Sequence, residues 1–204
     1  YFQDPAPQAG HKTDQEMGLP KGKRLLCLQN VLKYSLSFLN ALAQILTDSP
    51  ECQLILLCSD SPWIQAKAET VIREILPCKR VTWIPTPMTR KDYLNLISHA
   101  ELVLDTFGIS GCQSNLDALA MGIPVLTWVG DSAQARFTTA IYQQMDTPEL
   151  TVLQSPTIEA YIAQVHRLLS QPEAQARLHE IIQTQRKKVF NQTQGTEDLS
   201  LIHI

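Results

Sequence analysis

Short, uninterrupted apolar runs recur along this chain, and amphipathic stretches separate them. The runs are apolar at consecutive positions, so the strands that they predict are buried on both faces. Such strands are typical of a parallel sheet that helices cover on both sides. The predicted strands are residues 24–29, 53–58, 80–84, 101–105 and 123–128.

The stretches between the strands have apolar residues at helical spacing. They predict helices at residues 37–47, 62–76, 90–99, 114–121, 132–144, 157–170 and 172–190. The alternation predicts one α/β domain with a doubly wound, Rossmann-like parallel sheet over residues 23–190. Residues 1–22 are predicted to be a linker, and residues 191–204 a frayed polar tail.

Composition argues against several classes of protein. The formal net charge of −3, from 17 basic and 20 acidic residues, is unlike that of a general nucleic-acid binder. The sequence contains no run of about 18 apolar residues, so it predicts no membrane span. Five cysteines without a C-x-x-C or Cys/His pattern predict buried free thiols, a reducing cytoplasmic location and no metal site.

The loop after the fourth predicted strand is the strongest candidate for a ligand site, because ligands of open α/β sheets bind beyond the carboxyl ends of the strands. Gly108 and Gly111 allow tight turns there, and a helix starts near Ser114. A diphosphate could rest on that helix start with the Ser114 hydroxyl as a donor. Alternatively, Ser114 only caps the helix, with Asp117 as the acid of a short capping box.

Lys33 follows the first predicted strand and has two interpretations. It could reach into the crevice and pair with a phosphate, or it could be an ordinary solvated lysine at the start of a helix. His99 reads as the last residue of a short helix. No nucleophile elbow, pair of catalytic carboxylates or evident catalytic base accompanies these residues.

Several segments, in order, resemble one glycosyltransferase family. They are residues 17–20 (MGLP), 28–33 (LQNVLK), 100–106 (AELVLDT), 116–127 (LDALAMGIPVLT), 130–136 and 148–150. Together they resemble the C-terminal, donor-binding half of the O-linked N-acetylglucosamine transferases and the SPINDLY-type protein O-fucosyltransferases. The resemblance runs from about residue 18 to residue 190 and implies the C-terminal lobe of a GT-B fold.

On the diphosphate side, the resemblance implies three contacts. Lys33 aligns with the lysine that contacts the donor diphosphate and helps to stabilise the leaving nucleotide, so no metal or other cofactor is required. Gln113 and Ser114 align with a Thr-Thr pair that contacts the diphosphate. Residues 112–114 (CQS) replace the family's His-Thr-Thr, which places diphosphate affinity and donor identity in question.

On the nucleoside side, the resemblance implies four contacts. Asp117 aligns with an aspartate that bonds the donor ribose, and Asn30 with a donor-contacting glutamine. Tyr93 replaces a histidine against uracil, and its ring can also stack on a base. Pro87 lies in the loop, residues 85–88, that reads the base edge. Uracil and guanine both remain open as the base.

The resemblance therefore implies a UDP-sugar donor of the GlcNAc type and a polypeptide acceptor with Ser or Thr hydroxyls. The N-terminal lobe and tetratricopeptide-type helical repeats of such enzymes lie outside this sequence, so we expect no turnover by this chain alone. Two alternatives stay open. One is an epimerase-type enzyme, whose catalytic acids and histidine are not found. The other is a degenerate, non-catalytic nucleotide-binding or protein-interaction module, which the change at residues 112–114 favours and retained Lys33 and Asp117 oppose.

Overall fold

A computed structural model describes residues 3–190 and contains a parallel sheet of six strands with the spatial order β3-β2-β1-β4-β5-β6. This is the doubly wound, Rossmann-like order, so the predicted fold class is confirmed. The strands are β1 (Lys23–Cys27), β2 (Cys52–Leu57), β3 (Val81–Ile84), β4 (Leu102–Leu104), β5 (Val125–Trp128) and β6 (Gln154–Ser155).

The helices that cover the sheet are α1 (Leu36–Asp48), α2 (Pro62–Ile75), α3 (Arg90–Ser98), α4 (Gln113–Ala120), α5 (Phe137–Met145), α6 (Ile158–Ser170) and α7 (Pro172–Gln185). Local sequence explains where many of them begin. In four of them a hydroxyl at the N-cap accepts a hydrogen bond from a first-turn N–H group, and the capping residues are Ser35, Ser61, Thr89 and Thr157.

Two predicted helices are shorter in the structure than the sequence indicated. Residues 132–144 divide into a 3₁₀ turn, Ala133–Arg136, and helix α5. The turn folds back because the Arg136 Nε donates to the carbonyl of Gly130. Residues 172–190 divide into α7 and a 3₁₀ turn, Arg186–Lys188.

The turn after α7 has a tertiary cause. Arg186 donates to the carbonyl of Ala120 at the end of α4, and Lys188 donates to the carbonyl of Met145 at the end of α5. Cations at helix C-termini are favourable because carbonyl groups there lack intrahelical partners. Strand β6 was missed because it has only the two polar residues Gln154–Ser155.

The central strands are buried on both faces, as their continuous apolar runs predicted. Leu25, Leu26, Leu54 and Val103 are all fully enclosed. Strands β1 and β4 pair over Leu25–Leu102 and Leu26–Val103, and this short seam joins the two halves of the sheet.

An aromatic cluster fixes the loop that follows β4 to the core. The Phe107 ring lies edge-on against Phe38 of α1 at 5.1 Å and against Tyr161 of α6 at 5.0 Å, between ring centroids. Trp128 packs against the same ring at 5.6 Å. Edge-to-face geometry is favourable for aromatic pairs. The loop that carries the candidate site is therefore anchored one residue after Thr106.

The chain before β1 lies against α3. The Lys12 ammonium pairs with Asp92 at 2.7 Å, and the Lys12 carbonyl accepts from the Asn95 amide at 2.9 Å. The N–H of Gly10 donates to the carbonyl of Lys91. The division into residues 1–22, 23–190 and 191–204 stays a prediction, and the predicted tail lies outside the described residues.

We expect Phe38→Ala to lower the free energy of unfolding by about 3–5 kcal/mol, because it leaves a cavity beside Phe107. Urea denaturation measures the loss. Leu36→Ala is the matched control, since Leu36 begins the same helix but is 65% exposed, and a change within about 0.5 kcal/mol is expected. Equal losses in the two variants would contradict this account of the core.

Candidate functional site

The crevice between the loops after β1 and β4 is the candidate site. The strand order reverses direction at this pair of neighbours, and such a topological switch point is where open α/β sheets bind ligands. The two loops meet there through side chains. Lys33 Nζ lies 3.3 Å from the carbonyl oxygen of Ser110, and Gln29 Nε2 lies 2.6 Å from the Ser114 hydroxyl.

The loop after β1 presents Lys33 from a 3₁₀ turn, Val31–Lys33. Asn30 caps this turn, because its side-chain oxygen accepts the N–H of Leu32 at 3.0 Å. Lys33 is half-buried, and its ammonium donates to Gln29 Oε1 at 2.8 Å. Lys33 is therefore a held cation at the crevice and not an ordinary solvated lysine.

The loop after β4 is shaped by a buried carboxylate. Asp105 is fully enclosed, and its two oxygens accept hydrogen bonds from three hydroxyls and two backbone N–H groups. The donors are Ser110, Thr127 and Thr138 through their hydroxyls, and Thr106 and Gly111 through their N–H groups. Gly108 in the same loop has a φ of 84°, a left-handed conformation that glycine adopts without strain.

Helix α4 points its N-terminus at the crevice. It begins at Gln113, and the exposed Cys112 is the N-cap residue, whose side chain forms no capping hydrogen bond within residues 3–190. Ser114 lies inside the first turn and accepts from Gln29, so the alternative that Ser114 is the cap is wrong. The partial positive charge of the helix start therefore lies close to the Lys33 ammonium.

Asp117 lies one turn further along α4 and is paired with an arginine. Its carboxylate is 2% exposed and receives both terminal nitrogens of Arg90, at 2.6 and 2.5 Å. Gln113 Nε2 donates to the same carboxylate at 3.0 Å. The hydrogen bond to Asp117 raises the pKa of Arg90. A bidentate pair of this kind fixes the orientation of both side chains.

Tyr93 lies beneath Arg90, whose guanidinium carbon is 5.5 Å from the centre of the phenol ring. This is a cation–π geometry. Burial raises the pKa of Tyr93, so the phenol is neutral at physiological pH. Arg90 thus connects Tyr93 on α3 to Asp117 on α4.

A groove of about 300 Å³ lies between the loops that follow β1, β2 and β3. Its lining includes Asn30 and Pro87, together with the Asp60 carboxylate and Thr86. The Thr86 hydroxyl lies 2.7 Å from Asp60, and the Thr86–Pro87 peptide bond is cis. The groove adjoins the switch-point crevice because Gln29 and Asn30 border both.

The structure therefore groups the predicted site residues in three places. Lys33 and Ser114 face each other across Gln29, whereas Gln113 and Asp117 are joined on α4, and Asn30 and Pro87 line the neighbouring groove. Their contacts with a nucleotide-sugar donor stay predictions, and so does the contact of Tyr93 with it.

The sequence interpretation missed Gln29 and Arg90. Gln29 is a polar residue at the end of an apolar strand, and Arg90 opens a helix after two prolines. Neither position differs locally from that of a solvated side chain, since their partners come from distant parts of the chain. Only the predicted loop cluster at the strand ends could have indicated them.

Residues 3–190 contain no group of three or more His, Cys, Asp and Glu side chains that could hold a metal ion. Among the same residues, we find no helix with the length and apolar character needed to cross a bilayer.

Comparison with known proteins connects the chain to glycosyltransferases. No protein-family model matches it. It is 29% identical over 106 residues to a protein of Arabidopsis thaliana described as a probable UDP-N-acetylglucosamine–peptide N-acetylglucosaminyltransferase SPINDLY. The match covers 50% of this chain and 11% of that protein.

Solved structures give the same relationship. A variant of the O-GlcNAc transferase of Thermobaculum terrenum superposes with a TM-score of 0.77 at 26% identity, over 89% of this chain and 35% of that one. Sucrose-phosphate synthase from Thermosynechococcus elongatus gives 0.70 at 17% identity, over 97% and 49% of the two chains. The C-terminal domain of a group 1 glycosyl transferase from Francisella tularensis gives 0.69 at 11%, over 94% and 100%.

These comparisons establish the architecture and confirm the resemblance. The chain has the fold of a GT-B glycosyltransferase C-terminal lobe, since it covers the whole of the Francisella domain. The similarity to the O-GlcNAc transferases and SPINDLY is found in both sequence and structure. The chain spans about a tenth of the SPINDLY protein and about a third of the Thermobaculum enzyme.

We expect Arg90→Met to lower the free energy of unfolding by about 1–3 kcal/mol, because it leaves the buried Asp117 carboxylate without its bidentate partner. Arg73→Met is the control, since Arg73 pairs with Glu69 on the exposed face of α2 and such pairs contribute about 0.3–0.5 kcal/mol. Urea denaturation of both variants measures the difference. If Arg90→Met loses no more stability than Arg73→Met, the Arg90–Asp117 pair contributes no more than an exposed ion pair.

Proposed function

We propose that this chain, related to the O-GlcNAc transferases and SPINDLY, is the donor-binding lobe of a nucleotide-sugar-dependent protein O-glycosyltransferase. The donor is a UDP-sugar of the GlcNAc type. One observation carries the proposal: the Lys33 ammonium and the N-terminus of α4 meet in the crevice at the switch point. A cation beside a helix start is a site for a diphosphate.

Leaving-group stabilisation is the chemistry that this arrangement supports. When the bond from the anomeric carbon to the diphosphate breaks, negative charge builds on the diphosphate. Lys33 and the first-turn N–H groups of α4, with the Ser114 hydroxyl, would stabilise that charge. This provides the function that a divalent cation serves in other sites, so we propose that the reaction requires no metal.

The nucleoside would lie on the Asp117 and Asn30 side of the crevice. A carboxylate offers about four lone-pair positions, so Asp117 can accept a ribose hydroxyl while it keeps Arg90. We propose that Asn30 and the backbone around Pro87 contact the base through the neighbouring groove. Tyr93 would act together with the Arg90 guanidinium on its ring.

Turnover would require a second lobe, because GT-B enzymes react their substrates in the cleft between two lobes. We propose that a polypeptide with Ser or Thr hydroxyls is the acceptor, and that an N-terminal lobe and helical repeats complete the cytoplasmic enzyme. The likeness to the Thermobaculum enzyme, of which this chain spans 35%, supports this arrangement.

A degenerate lobe without turnover is the less favoured alternative. Its support is the sequence Cys112-Gln113-Ser114 at the helix start, which lacks one of the expected hydroxyls. The Lys33 ammonium, held by Gln29 and Ser110 at the same helix, favours a working donor site.

Calorimetric titration with UDP, and then with GDP, tests the donor site. We expect UDP to bind, and Lys33→Ala to weaken binding by about 1–3 kcal/mol, the range for a charge-assisted contact. Lys79→Ala is the control, because Lys79 precedes β3 and therefore lies at the opposite ends of the parallel strands from the crevice. If neither nucleotide binds to the wild-type chain at millimolar concentration, or if both variants bind equally well, the proposed site is wrong.

The exposed thiol of Cys112 reports occupancy of the helix start directly. We expect UDP to slow alkylation of Cys112 in proportion to the fraction of chain that is bound, because the diphosphate covers the first turn of α4. Mass spectrometry after timed iodoacetamide treatment measures the rate. Uridine at the same occupancy is the control and should leave the rate unchanged, so equal protection by uridine would place the diphosphate elsewhere.

A further inference from the structure

Gln29 is a buried side chain whose polar atoms join the two walls of the crevice. It is 3% exposed. Its Oε1 accepts from the Lys33 ammonium at 2.8 Å, and its Nε2 donates to Ser114 Oγ at 2.6 Å and to Asn115 Oδ1 at 3.2 Å. One carboxamide therefore bonds both to the lysine from the β1 side and to the start of α4 from the β4 side.

The orientation of this carboxamide is determined by its neighbours. If it were reversed, its NH₂ group would face the Lys33 ammonium, and its oxygen would face the Asn115 oxygen. Asn115 cannot reverse to compensate, because its Nδ2 donates to Thr138 Oγ1 at 2.7 Å. The Thr138 hydroxyl in turn donates to the buried carboxylate of Asp105 at 2.8 Å. Directional hydrogen bonds thus lead from that carboxylate to Lys33.

A second route leads from Asp105 to the same ammonium. The carboxylate holds the Ser110 hydroxyl and the Gly111 N–H, and the Ser110 carbonyl accepts from Lys33 at 3.3 Å. A Cβ atom at position 111 would lie 2.1 Å from Gln29 Nε2, so any larger residue there would displace the carboxamide. The loop backbone therefore lies close to the carboxamide, and both acceptors of Lys33 belong to one hydrogen-bonded network.

We propose that Gln29 is a positioning residue that holds the Lys33 ammonium in place for the donor diphosphate. This inference rests on the proposed function of the same site. A lysine has a flexible four-carbon stem, so an unheld ammonium would have to be ordered during the reaction. Charge stabilisation is most effective when the stabilising group is already in place. A neutral amide fixes the cation without cancelling its charge, whereas a carboxylate would cancel it.

The first test requires no nucleotide. Nuclear magnetic resonance of the Lys33 side chain, on the full chain, measures the mobility of its Nζ and Cε atoms. We expect restricted motion in the wild type and much greater motion in Gln29→Met, which removes the three side-chain hydrogen bonds of Gln29 at similar volume and leaves Lys33, within residues 3–190, only the 3.3 Å contact with the Ser110 carbonyl. Exposed Lys21 of the same chain is the reference for an unheld lysine. Gln143→Met is the matched control on the exposed surface of α5 and should leave Lys33 restricted. A restricted Lys33 in Gln29→Met would overturn the proposal.

A second variant keeps the test decisive if Gln29→Met does not fold. Gln29→Glu retains an acceptor for Lys33 but loses the donor to Ser114 and Asn115. We expect Lys33 to stay restricted in Gln29→Glu, as a rescue by the retained acceptor. A mobile Lys33 in a folded Gln29→Glu chain would overturn the proposal.

The second test separates positioning from general damage. Titration with UDP and with uridine should show that Gln29→Met weakens UDP binding about tenfold, as expected for a loosened charge-assisted contact, and leaves uridine binding unchanged. Equal weakening of both ligands, or no weakening of either, would overturn the positioning role. If the wild type binds no UDP, the proposed function fails, and the mobility of Lys33 alone then decides the inference.

Discussion

The fully buried carboxylate of Asp105 is the interaction on which the site depends. A charged group in a protein interior is tolerated only when hydrogen bonds replace its lost hydration. Asp105 satisfies this condition with five donors taken from its own loop, from β5 and from α5. The need to satisfy one charge therefore shapes the loop after β4, fixes the start of α4 and aligns α5 with the sheet.

The sequence predicted the fold well because strands that are buried in a parallel sheet have apolar residues at consecutive positions, a pattern that is visible locally. A run of consecutive apolar residues such as 54–57 in β2 indicates a strand buried on both faces, and hydroxyl caps such as Ser35 mark where helices begin. The errors arose where structure depends on distant partners. The 3₁₀ turn Arg186–Lys188 follows from side-chain bonds to the ends of α4 and α5, and strand β6 exists only through its pairing with β5.

The same distinction applies to the site. Topology alone directed attention to the loops that carry Lys33 and Ser114, since both follow neighbouring strands of a doubly wound sheet. The partners that hold them, Gln29 and Arg90, are polar residues without any local pattern. The resemblance to the O-GlcNAc transferases and SPINDLY suggested which side chains contact a ligand. The hydrogen-bond geometry indicates how those side chains are held.

The short seam between β1 and β4 divides the site residues between the two halves of the sheet. The half built from β1, β2 and β3 carries Lys33, Asn30, Pro87 and Arg90, whereas the half built from β4, β5 and β6 carries Ser114 and Asp117. The Gln29–Ser114 and Arg90–Asp117 hydrogen bonds each join one half to the other, so the site is assembled only where the two halves meet. A ligand bound across the seam would contact both halves, so its binding energy would also oppose their separation.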